Sequence, residues 1–287
     1  MNDLILIDFS WLYNKYYYVA SYSASQSKED KEAVLYKMLV QFLMLIKKSY
    51  PYAKIVMALD SPTSTLSNYA IFEGYKQNRN KEEKKEVYAH LNNILKKLAK
   101  VLDEKSFAFM KAKGYEADQL LAYLIKKYCN KYYITLFSGD KDLLQLTSFP
   151  NVHVSDKFEK GKFLIKSDEE IFQKFKNNKG EDFSRISTNK RDILKYRTLK
   201  GDASDNLSPV FPRIKDKEIV EIIQNHWVDN QEEPLTEERI NKIIEDDLQY
   251  ENPALAEKLR ENKEIWLRNY KIMDLLHIGD LQMRRIK

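Results

Sequence analysis

Acidic side chains recur along this chain at the points where predicted strands end and predicted helices begin. The most compact example is the pair Asp140 and Asp142, which comes directly after the apolar run Tyr132–Phe137 and Ser138-Gly139. A single Asp-x-Asp is typical of turns and helix caps, so this pair alone favours turn chemistry. Acidic residues follow predicted strands or open predicted helices at other places in the chain as well. All the acids of this kind are Asp8, Asp60, Glu116, Asp118, Asp140, Asp142, Asp202 and Asp205.

The first six of these acids are expected to meet at one edge of a sheet. The carboxyl ends of parallel strands lie at the same edge, where ligands of open α/β sheets bind. Carboxylates at close range raise each other's pKa, so such a cluster needs cations. Oxygen-only ligands select hard ions such as Mg²⁺ or Mn²⁺. Two such ions about 4 Å apart are the usual device for hydrolysing phosphodiesters.

Strand-like and helical segments alternate over the first half of the chain. β-branched and aromatic runs predict strands, and apolar residues at helical spacing predict helices. The predicted strands are Leu4–Ile7, Lys54–Leu59, Phe107–Met110 and Tyr132–Phe137. The predicted helices between them are Glu32–Lys48, Lys81–Leu102 and a helix that Gly114–Asp118 leads into and that runs through Tyr128, whereas Ser61–Asn80 has no clean period. This alternation predicts an α/β fold with a central, mostly parallel sheet.

The second half of the chain is predicted to be mostly helical. Val152–Val154 and Phe163–Ile165 have the pattern of a hairpin that turns at Glu159-Lys160-Gly161. The helical pattern starts near Ser167, and the closing stretch Met283–Lys287 is predicted to be a short basic tail. The individual helices predicted are Arg191–Leu199, Lys217–His226, Glu237–Leu248 and Pro253–Leu275.

Composition fits a globular protein that meets a polyanion. The chain has 287 residues, 43% hydrophobic and 32% charged, with a net charge of +5. The stretch from Gly74 to Lys113 contains 11 Lys/Arg and 5 Asp/Glu, or +6, so the remainder nets −1. A basic segment beside clustered acids suits nucleic acid bound next to metal ions. The single cysteine, Cys129, excludes a disulfide framework and favours a reducing cytoplasm. No apolar run predicts a membrane span or a signal peptide.

Six short motifs that together carry the eight acids follow one another along the chain. They are Ile7-Asp8-Phe9-Ser10, Ala58-Leu59-Asp60-Ser61, Tyr75-Lys76-x-x-Arg79, Gly114-x-Glu116-Ala117-Asp118, Ser138-Gly139-Asp140-x-Asp142 and Gly201-Asp202-x-x-Asp205-Asn206. In this order they resemble the motifs of the structure-specific 5′-nucleases, a family that includes flap endonucleases, the 5′-nuclease domain of bacterial DNA polymerase I and phage 5′-3′ exonucleases. The Phe149–Val152 stretch, the short C-terminal portion and the chain length look most like the RNase H of T-even phages.

The resemblance implies a division of labour among the acids and the basic residues. Asp8, Asp60, Glu116 and Asp118 would hold a first Mg²⁺. A second Mg²⁺ would be served by Asp140, Asp142, Asp202 and Asp205, with Mn²⁺ able to substitute for either ion. Lys76 and Arg79 would lie at the base of a helical arch, close to the scissile phosphate, where a cation stabilises the transition state. Tyr75 could stack on a terminal base.

Two places depart from the family pattern. Gln119 follows Asp118 where the family usually has a further aspartate, so one anionic ligand is expected to be lost. Leu207–Lys217, which follows the Gly-Asp-x-x-Asp-Asn motif, contains no glycine and two prolines, whereas the family has a glycine-rich hairpin there that grips DNA phosphates. Close approach of amides to phosphate favours glycine, and proline lacks the N–H donor. Duplex binding is therefore expected to use Arg213, Lys215 and Lys217.

Taken together, the sequence predicts a PIN-like or Rossmann-like nuclease core with a helical arch and a helical C-terminal region. The core would span residues 1–187 with the arch at about 61–113, and a modified helix-hairpin-helix region would span 188–287. The expected activity is metal-dependent 5′-3′ exonuclease, flap endonuclease and RNase H cleavage that removes lagging-strand RNA primers. The resemblance implies DNA and RNA–DNA duplexes as substrates and a single-strand-binding protein or clamp as a protein partner. The chain is expected to be a monomer without a membrane partner. If the source is a phage, the expected location is the host cytoplasm.

Two other interpretations remain open at this stage. A PIN-type ribonuclease shares the fold and an acidic cluster, but the second acidic motif with Asp202 and Asp205 argues against it. A catalytically inactive nucleic-acid-binding module is the other alternative, and retention of all eight acids argues against that. Without the acids, Lys76 and Arg79 would be an ordinary solvated basic face. The aromatic run Tyr13–Tyr18 is expected to pack in the core.

Overall fold

A central sheet of six strands organises the described part of the chain. The structure is a computed structural model, and it describes residues 1–27, 30–79, 81–173, 189–227 and 233–286. The strands of this sheet are β1 (Asn2–Asp8), β2 (Lys54–Ala58), β3 (Phe107–Ala112), β4 (Tyr132–Phe137), β5 (Val152–Ser155) and β8 (Met283–Ile286), and β6 (Phe158–Glu159) and β7 (Lys162–Phe163) form a separate hairpin. The strand order is β5-β4-β1-β2-β3-β8, in which five strands run parallel and β8 is antiparallel to β3.

The middle of the sheet is buried on both faces. In β1, Leu6 and Ile7 have no exposed surface, and β1 pairs with β2 on one side and β4 on the other. A strand covered on both faces is expected to be continuously apolar, as Leu4–Ile7 is. The predictions of β1 to β4 are therefore confirmed, with no end shifted by more than two residues.

Helices cover the two faces of the sheet and form two separate cores. One face carries α1 (Phe9–Ser27), α2 (Lys31–Ser49) and α4 (Lys81–Val101), whose apolar side chains pack on β1 to β3. The other face carries α5 (Ala117–Tyr128), the 3₁₀ helix Asp142–Ser148 and the C-terminal helices. The remaining helices are α3 (Leu66–Tyr69), α6 (Asp168–Gln173), α7 (Asp192–Lys200), α8 (Asp216–Glu221), α9 (Glu237–Ile243), α10 (Gln249–Glu251), α11 (Pro253–Glu261) and α12 (Lys263–Met273).

Several helices begin at residues whose side chains cap the free backbone amides. The Asp30 carboxylate accepts from Glu32 N at 2.7 Å at the start of α2. Asn252 caps α11 by accepting from Leu255 N, and Pro253 occupies the first turn, where its missing N–H costs nothing. None of the helices in the described ranges is long and apolar enough to cross a lipid bilayer.

Three sequence predictions about the second half of the chain are wrong in detail. Val152–Val154 does not form a hairpin with Phe163–Ile165; β5 joins the edge of the main sheet and pairs with β4, while β6 and β7 form the hairpin. The predicted helix Pro253–Leu275 breaks at Asn262 into α11 and α12. The basic tail is the strand β8 up to Ile286, paired with β3.

The α8 and α9 segments each end in a π-helical turn, over Ile222–His226 and Ile244–Leu248. The predicted boundary at residues 187 and 188 lies outside the described residues. The division into a nuclease core and a helical C-terminal region stays a prediction.

Candidate active site

One cleft at the carboxyl edge of the sheet brings all eight predicted acids together. Lys76 and Arg79 line the same cleft, as do Trp11 and Tyr18 of α1. The lining acids are Asp8, Asp60, Glu116, Asp118, Asp140, Asp142, Asp202 and Asp205. They come from five separate segments of the chain, so the convergence is a product of the fold.

Asp8 and Asp60 lie at the ends of the neighbouring strands β1 and β2. The Asp8 carboxylate accepts a hydrogen bond from Ser138 Oγ at 2.9 Å and one from Trp11 N at 3.0 Å. These bonds tie the end of β1 to the end of β4 and to the first turn of α1. The Asp60 carboxylate accepts from Ala117 N at 2.8 Å, which fixes it to the start of α5.

Glu116 and Asp118 sit at the start of α5. Gln119 is buried, and its Oε1 accepts from Glu116 N at 3.0 Å, so it holds the helix start in place. Asn68 of α3 donates to Glu116 Oε2 at 3.4 Å and also contacts Gln119. Gln119, at which the sequence departs from the family pattern, is therefore a helix-capping residue that orients Glu116.

Asp140 and Asp142 follow β4. The Asp140 carboxylate accepts from Asp142 N at 2.9 Å, and Asp140 N donates to Ser138 Oγ at 3.1 Å. Gly139 lies against the Trp11 ring, whose nearest atom would be 2.7 Å from an added Cβ. This contact explains why glycine precedes the acids here.

Asp202 caps the short 3₁₀ turn Ala203–Asp205 that follows α7, and Asp205 is the last residue of that turn. Gly201 ends α7 with φ 74°, and an added Cβ there would lie 2.6 Å from the Leu207 carbonyl oxygen. The Asp202 carboxylate accepts from Ser204 N at 2.8 Å, and Asp202 and Leu207 exchange backbone bonds at 2.8 Å. The glycine is thus required by both backbone angle and space.

The segment that carries Tyr75, Lys76 and Arg79 is docked onto this acidic turn. Lys76 N donates to the Asp205 carbonyl at 3.0 Å, although Lys76 has φ 55°. Lys76 Nζ lies 2.5 Å from Glu116 Oε1 and 3.6 Å from Asp205 Oδ2. Arg79 pairs with the Asp205 carboxylate and remains 46% exposed at its side chain. Both predicted cations therefore face the acids directly.

Tyr75 is placed differently from the stacking role expected for it. Its side chain is buried, with 3% exposed surface, and its hydroxyl donates to Glu116 Oε2 at 2.7 Å. The same hydroxyl lies 3.2 Å from Asp205 Oδ2. In this arrangement the ring offers no free face to a base, because it packs in the core beside α5. In this arrangement Tyr75 orients Glu116 and Asp205, and the base stacking expected for it stays a prediction that would require the ring to move.

Sequence reasoning missed Arg197. Its Nε lies 2.6 Å from Asp142 Oδ1 and its Nη2 lies 2.5 Å from Asp202 Oδ2. The signal available in the sequence is a cation in the last turn of the helix that leads into the Asp202 motif. Asking which cation neutralises each acid would have singled it out.

Burial and mutual repulsion make the first acids hard to ionise without a cation. Burial, together with repulsion from Asp140 and Asp60, raises the pKa of Asp8 to about 7. Burial and Asp142 raise the pKa of Asp140 to about 6, and burial and Glu116 raise that of Asp118. Burial also raises the pKa of Asp202, but Arg197 and Ser204 outweigh it and leave that pKa below its usual value. An added cation would relieve the first three acids most.

The donor set fits hard divalent cations, because the acids that line the cleft offer carboxylate oxygens. Among the described residues, no group of three acidic, histidine or cysteine side chains is already drawn together as a complete metal site. Lys76 contacts both Glu116 and Asp205, and Arg197 contacts both Asp142 and Asp202.

The glycine-free segment after Asn206 is anchored by apolar residues and presents cations outward. Leu207, Val210, Phe211 and Ile214 are buried, and Val210 N donates to the Leu199 carbonyl at 2.9 Å. Arg213, Lys215 and Lys217 are exposed.

The aromatic residues Tyr13–Tyr18 of α1 differ in burial, since Tyr13 is buried as predicted whereas Tyr18 is 65% exposed at the cleft.

The fold matches phage nucleases of known structure. The T5 D15 protein with metal ions superposes with a TM-score of 0.65 at 18% identity, covering 96% of this chain and 90% of that one. The T5 D15 flap endonuclease with DNA and metal ions gives 0.62 at 16% identity, with 96% and 90% covered. At these identities the likeness concerns the fold alone, and it confirms the predicted α/β architecture.

Sequence comparisons find relatives among bacteria and phages. The chain is 29% identical over 206 residues to a 5′-3′ exonuclease of Mycoplasmopsis pulmonis, which covers 72% of this chain and 61% of that protein. It is 28% identical to the 5′-3′ exonuclease of Aquifex aeolicus (79% and 70% covered) and 27% identical to the ribonuclease H of Enterobacteria phage T4 (73% and 64% covered). The chain thus spans less than two thirds of the length of the first and last of these relatives.

The family model called 5′-3′ exonuclease, N-terminal resolvase-like domain, matches residues 3–176, which is more than half of the chain. This match contains six of the eight acids as well as Lys76 and Arg79, and the motif resemblance had indicated the same family. The chain therefore belongs to the 5′-3′ exonuclease family.

Proposed function

We propose that this chain is a divalent-metal-dependent 5′-nuclease that hydrolyses phosphodiesters at the 5′ ends or flaps of DNA and RNA–DNA duplexes. The observation that supports it most is the single cleft in which eight acids from five segments face Lys76 and Arg79. A cleft that combines anionic oxygens with buried cations suits a phosphate diester held between metal ions and fixed positive charges.

Two sets of acids would hold the cations, with Mg²⁺ as the proposed ion and Mn²⁺ as a substitute. The first set is Asp8, Asp60, Glu116 and Asp118, and the second is Asp140, Asp142, Asp202 and Asp205. Divalent ions bound there would activate water and stabilise charge on the phosphoryl oxygens. The protein's part is to fix the ligands, and Ser138, Gln119 and Tyr75 do so by hydrogen bonds of 2.7–3.0 Å to Asp8 and Glu116.

Lys76 and Arg79 would stabilise the developing charge on the scissile phosphate. Arg79 is half exposed at the mouth of the cleft, where an incoming phosphate can reach it. Lys76 Nζ is held 2.5 Å from Glu116 Oε1, so its side chain is already positioned before the reaction. Preorganised donors of this kind lower the barrier without reorganisation.

The proposed substrate is a duplex with a free 5′ strand. The exposed Arg213, Lys215 and Lys217 would contact duplex phosphates, and the basic arch segment would contact the 5′ strand. The proposed task is removal of RNA primers and adjacent DNA from lagging-strand fragments. This is in line with relatives named 5′-3′ exonuclease and ribonuclease H.

The test uses one 5′-labelled DNA flap and one 5′-labelled RNA–DNA hybrid of the same sequence, with product mapping. We expect cleavage of both in Mg²⁺ and none in EDTA. A PIN-type ribonuclease would cut single-stranded RNA and spare the DNA flap. An inactive binding module would retain both substrates intact in Mg²⁺, and that result would refute the proposal.

A further inference from the structure

Arg268, on α12, is a half-buried cation that has no carboxylate partner among the residues that the structure describes. Its guanidinium contacts uncharged groups instead. Nη2 donates to the Ser208 hydroxyl at 3.2 Å, and Nε and Nη2 both donate to Asn269 Oδ1, at 3.2 and 2.9 Å. The guanidinium carbon lies 4.3 Å from the centre of the Phe72 ring. Hydrogen bonds and aromatic contact therefore place this side chain.

The charge of this guanidinium is unbalanced, which distinguishes it from Arg197 in the cleft, which pairs with Asp142 and Asp202. Burial lowers the pKa of Arg268, and no acid in the described part of the chain opposes that shift. Partial removal of a cation from water costs free energy, which a hydrogen-bonded anion offsets. An anion from outside the chain would do so here.

The groups around Arg268 are themselves fixed, so the guanidinium is in position before a ligand arrives. Asn269 has no exposed surface, and its Nδ2 donates to the Thr198 carbonyl at 3.1 Å and to the Ser208 carbonyl at 2.8 Å. The Phe72 ring supports the guanidinium, as aromatic rings commonly do for arginine. Nη1 has no partner in the described ranges, so two of the five N–H donors remain available.

This group of side chains lies beside the acidic cleft but does not belong to it. In the described structure, Phe72, Ser208 and Arg268 are not among the residues that line the cleft. Ser208 follows Asp205 by three residues, so their Cα atoms are at most about 11 Å apart. Phe72 leads into the segment of Lys76, whose backbone N donates to the Asp205 carbonyl at 3.0 Å. An anion on Arg268 would thus lie close to a phosphate bound in the cleft.

We propose that Arg268 and Ser208 form a receptor for one backbone phosphate of the nucleic-acid substrate, next to the cleft. The phosphate accepts hydrogen bonds from Arg268 Nη1 and from the Ser208 hydroxyl, whose proton is free because its oxygen accepts from Nη2. The receptor supplies a fixed phosphate contact beside Leu207–Lys217, a segment without glycine to bring backbone amides close to phosphate. The inference rests on the proposed nuclease function, but it concerns substrate binding without metal ions.

The experiment measures the binding of a fluorescein-labelled 5′-flap DNA duplex by anisotropy across a salt titration, in EDTA so that no hydrolysis occurs. Arg268→Gln removes the charge, and Arg268→Lys keeps it without the planar fork. Ser208→Asp places a carboxylate beside the guanidinium, and Ser208→Asn is its uncharged counterpart. The matched control is Lys263→Gln at the start of the same helix, where Lys263 already pairs with Glu237 at 2.9 Å.

Arg268→Gln should weaken binding by about tenfold at low salt, the usual effect of losing one hydrogen-bonded contact to a charged group. It should also flatten the slope of log K against log salt by about one unit, because one phosphate fewer is neutralised. Arg268→Lys should bind more weakly than the wild type but keep its slope. Ser208→Asp should reproduce Arg268→Gln, because the new carboxylate takes the place of the phosphate. Ser208→Asn should stay close to the wild type, and Lys263→Gln should match it.

Wild-type affinity and slope in both Arg268→Gln and Ser208→Asp would overturn the inference. Weaker binding by Arg268→Gln with an unchanged slope would also overturn it, because Arg268 would then only hold α12 to its neighbours. If Arg268→Gln does not fold, the comparison of Ser208→Asp with Ser208→Asn decides.

The same flap duplex, incubated with the wild type in Mg²⁺, separates this inference from the proposed function. A wild type that binds and cleaves the duplex while the variants bind as it does refutes the phosphate receptor alone. A wild type that neither binds nor cleaves it refutes the proposed nuclease function, and the inference fails with it.

Discussion

Asp140 follows β4 and lies against Asp142, whose N–H donates to its carboxylate at 2.9 Å. Replacing it with alanine removes a proposed metal ligand and also a negative charge that faces the substrate phosphates. We expect Asp140→Ala to abolish hydrolysis while duplex affinity stays the same or improves. Single-turnover cleavage in Mg²⁺ and fluorescence anisotropy in EDTA measure the two effects. Asp3→Ala is the control, since Asp3 is exposed at the far end of β1; wild-type turnover by Asp140→Ala would refute the ligand assignment.

Lys76 and Arg79 face the acids, so they are expected to act on the transition state more than on affinity. Lys76→Ala and Arg79→Ala should each lower the cleavage rate by about 10²–10³-fold, the usual effect of removing one preorganised contact. Their dissociation constants for duplex should rise much less. Lys105→Ala is the control, because it removes an exposed charge from the same basic segment. Loss of affinity alone, at an unchanged saturating rate, would make these residues a plain phosphate-binding face.

At the scale of elements, the turn between α7 and Asp202 depends on a glycine that has both an unusual backbone angle and no room for a side chain. Gly201→Ala should cost at least about 2 kcal/mol in the free energy of unfolding, because strain at positive φ adds to a backbone clash. Gly114 has φ 85° but open space around it, so Gly114→Ala should cost only about 1 kcal/mol.

Gly279→Ala, which meets neither obstacle, should stay within about 0.5 kcal/mol of the wild type. Urea unfolding of the three variants provides the comparison. Equal stability of Gly201→Ala and Gly279→Ala would mean that the turn after α7 relaxes freely. We expect the loss in the free energy of unfolding to decrease in the order Gly201→Ala, Gly114→Ala, Gly279→Ala.

Elements with a strong local period could be predicted, and elements defined by distant partners could not. β1 and β4 are short apolar runs, and α2 and α4 have apolar stripes, so their sequences alone predicted them. β8 is a four-residue strand whose pairing with β3 bridges most of the chain, and nothing local in Met283–Ile286 indicates it. The sequence predicted β5 as a strand, but it did not predict that β5 pairs with β4.

The same limit applies to the cleft. Six of its acids follow strand ends or open the helix α5, and topology predicted that these six would meet, whereas for Asp202 and Asp205 the motif resemblance indicated a place in the same site. The burial of Tyr75, the contact between Asn68 and Glu116, and the bridge made by Arg197 depend on packing between segments far apart in sequence. Such contacts leave no period in the chain, because each involves one side chain that is chosen by its neighbours in space.

At the scale of the whole molecule, the crowded acids should make stability depend on divalent cations. Burial and mutual repulsion disfavour the ionised forms of Asp8, Asp118 and Asp140, so a cation that binds the folded state stabilises it. At about 100 times the dissociation constant, Mg²⁺ should add about 2.7 kcal/mol and raise the melting temperature by roughly 4–5 °C. Calorimetry in Mg²⁺ and in EDTA at equal ionic strength measures this, and equal melting temperatures would contradict a metal site in the cleft.

The second whole-molecule expectation concerns salt. The segment after Asn206 lacks glycine, so duplex binding should rely on side-chain cations, and each neutralised phosphate adds about −0.9 to the slope of log K against log salt. Binding should therefore be weak at physiological salt and its slope steep. The double substitution Arg213→Ala with Lys215→Ala removes two exposed cations and should flatten the slope by roughly one to two units. Cleavage of long duplexes should slow, and capture of single-stranded 5′ ends should change less.

The matched control for that double substitution is Lys126→Ala with Lys127→Ala. These two cations lie at the end of α5, a helix that begins at the cleft with Glu116 and runs away from it for 12 residues, or about 18 Å. Anisotropy across a salt titration should give the control the wild-type slope. If the Arg213 and Lys215 pair also keeps the wild-type slope, the segment does not touch the duplex, and the cations of the arch segment must supply the phosphate contacts by themselves.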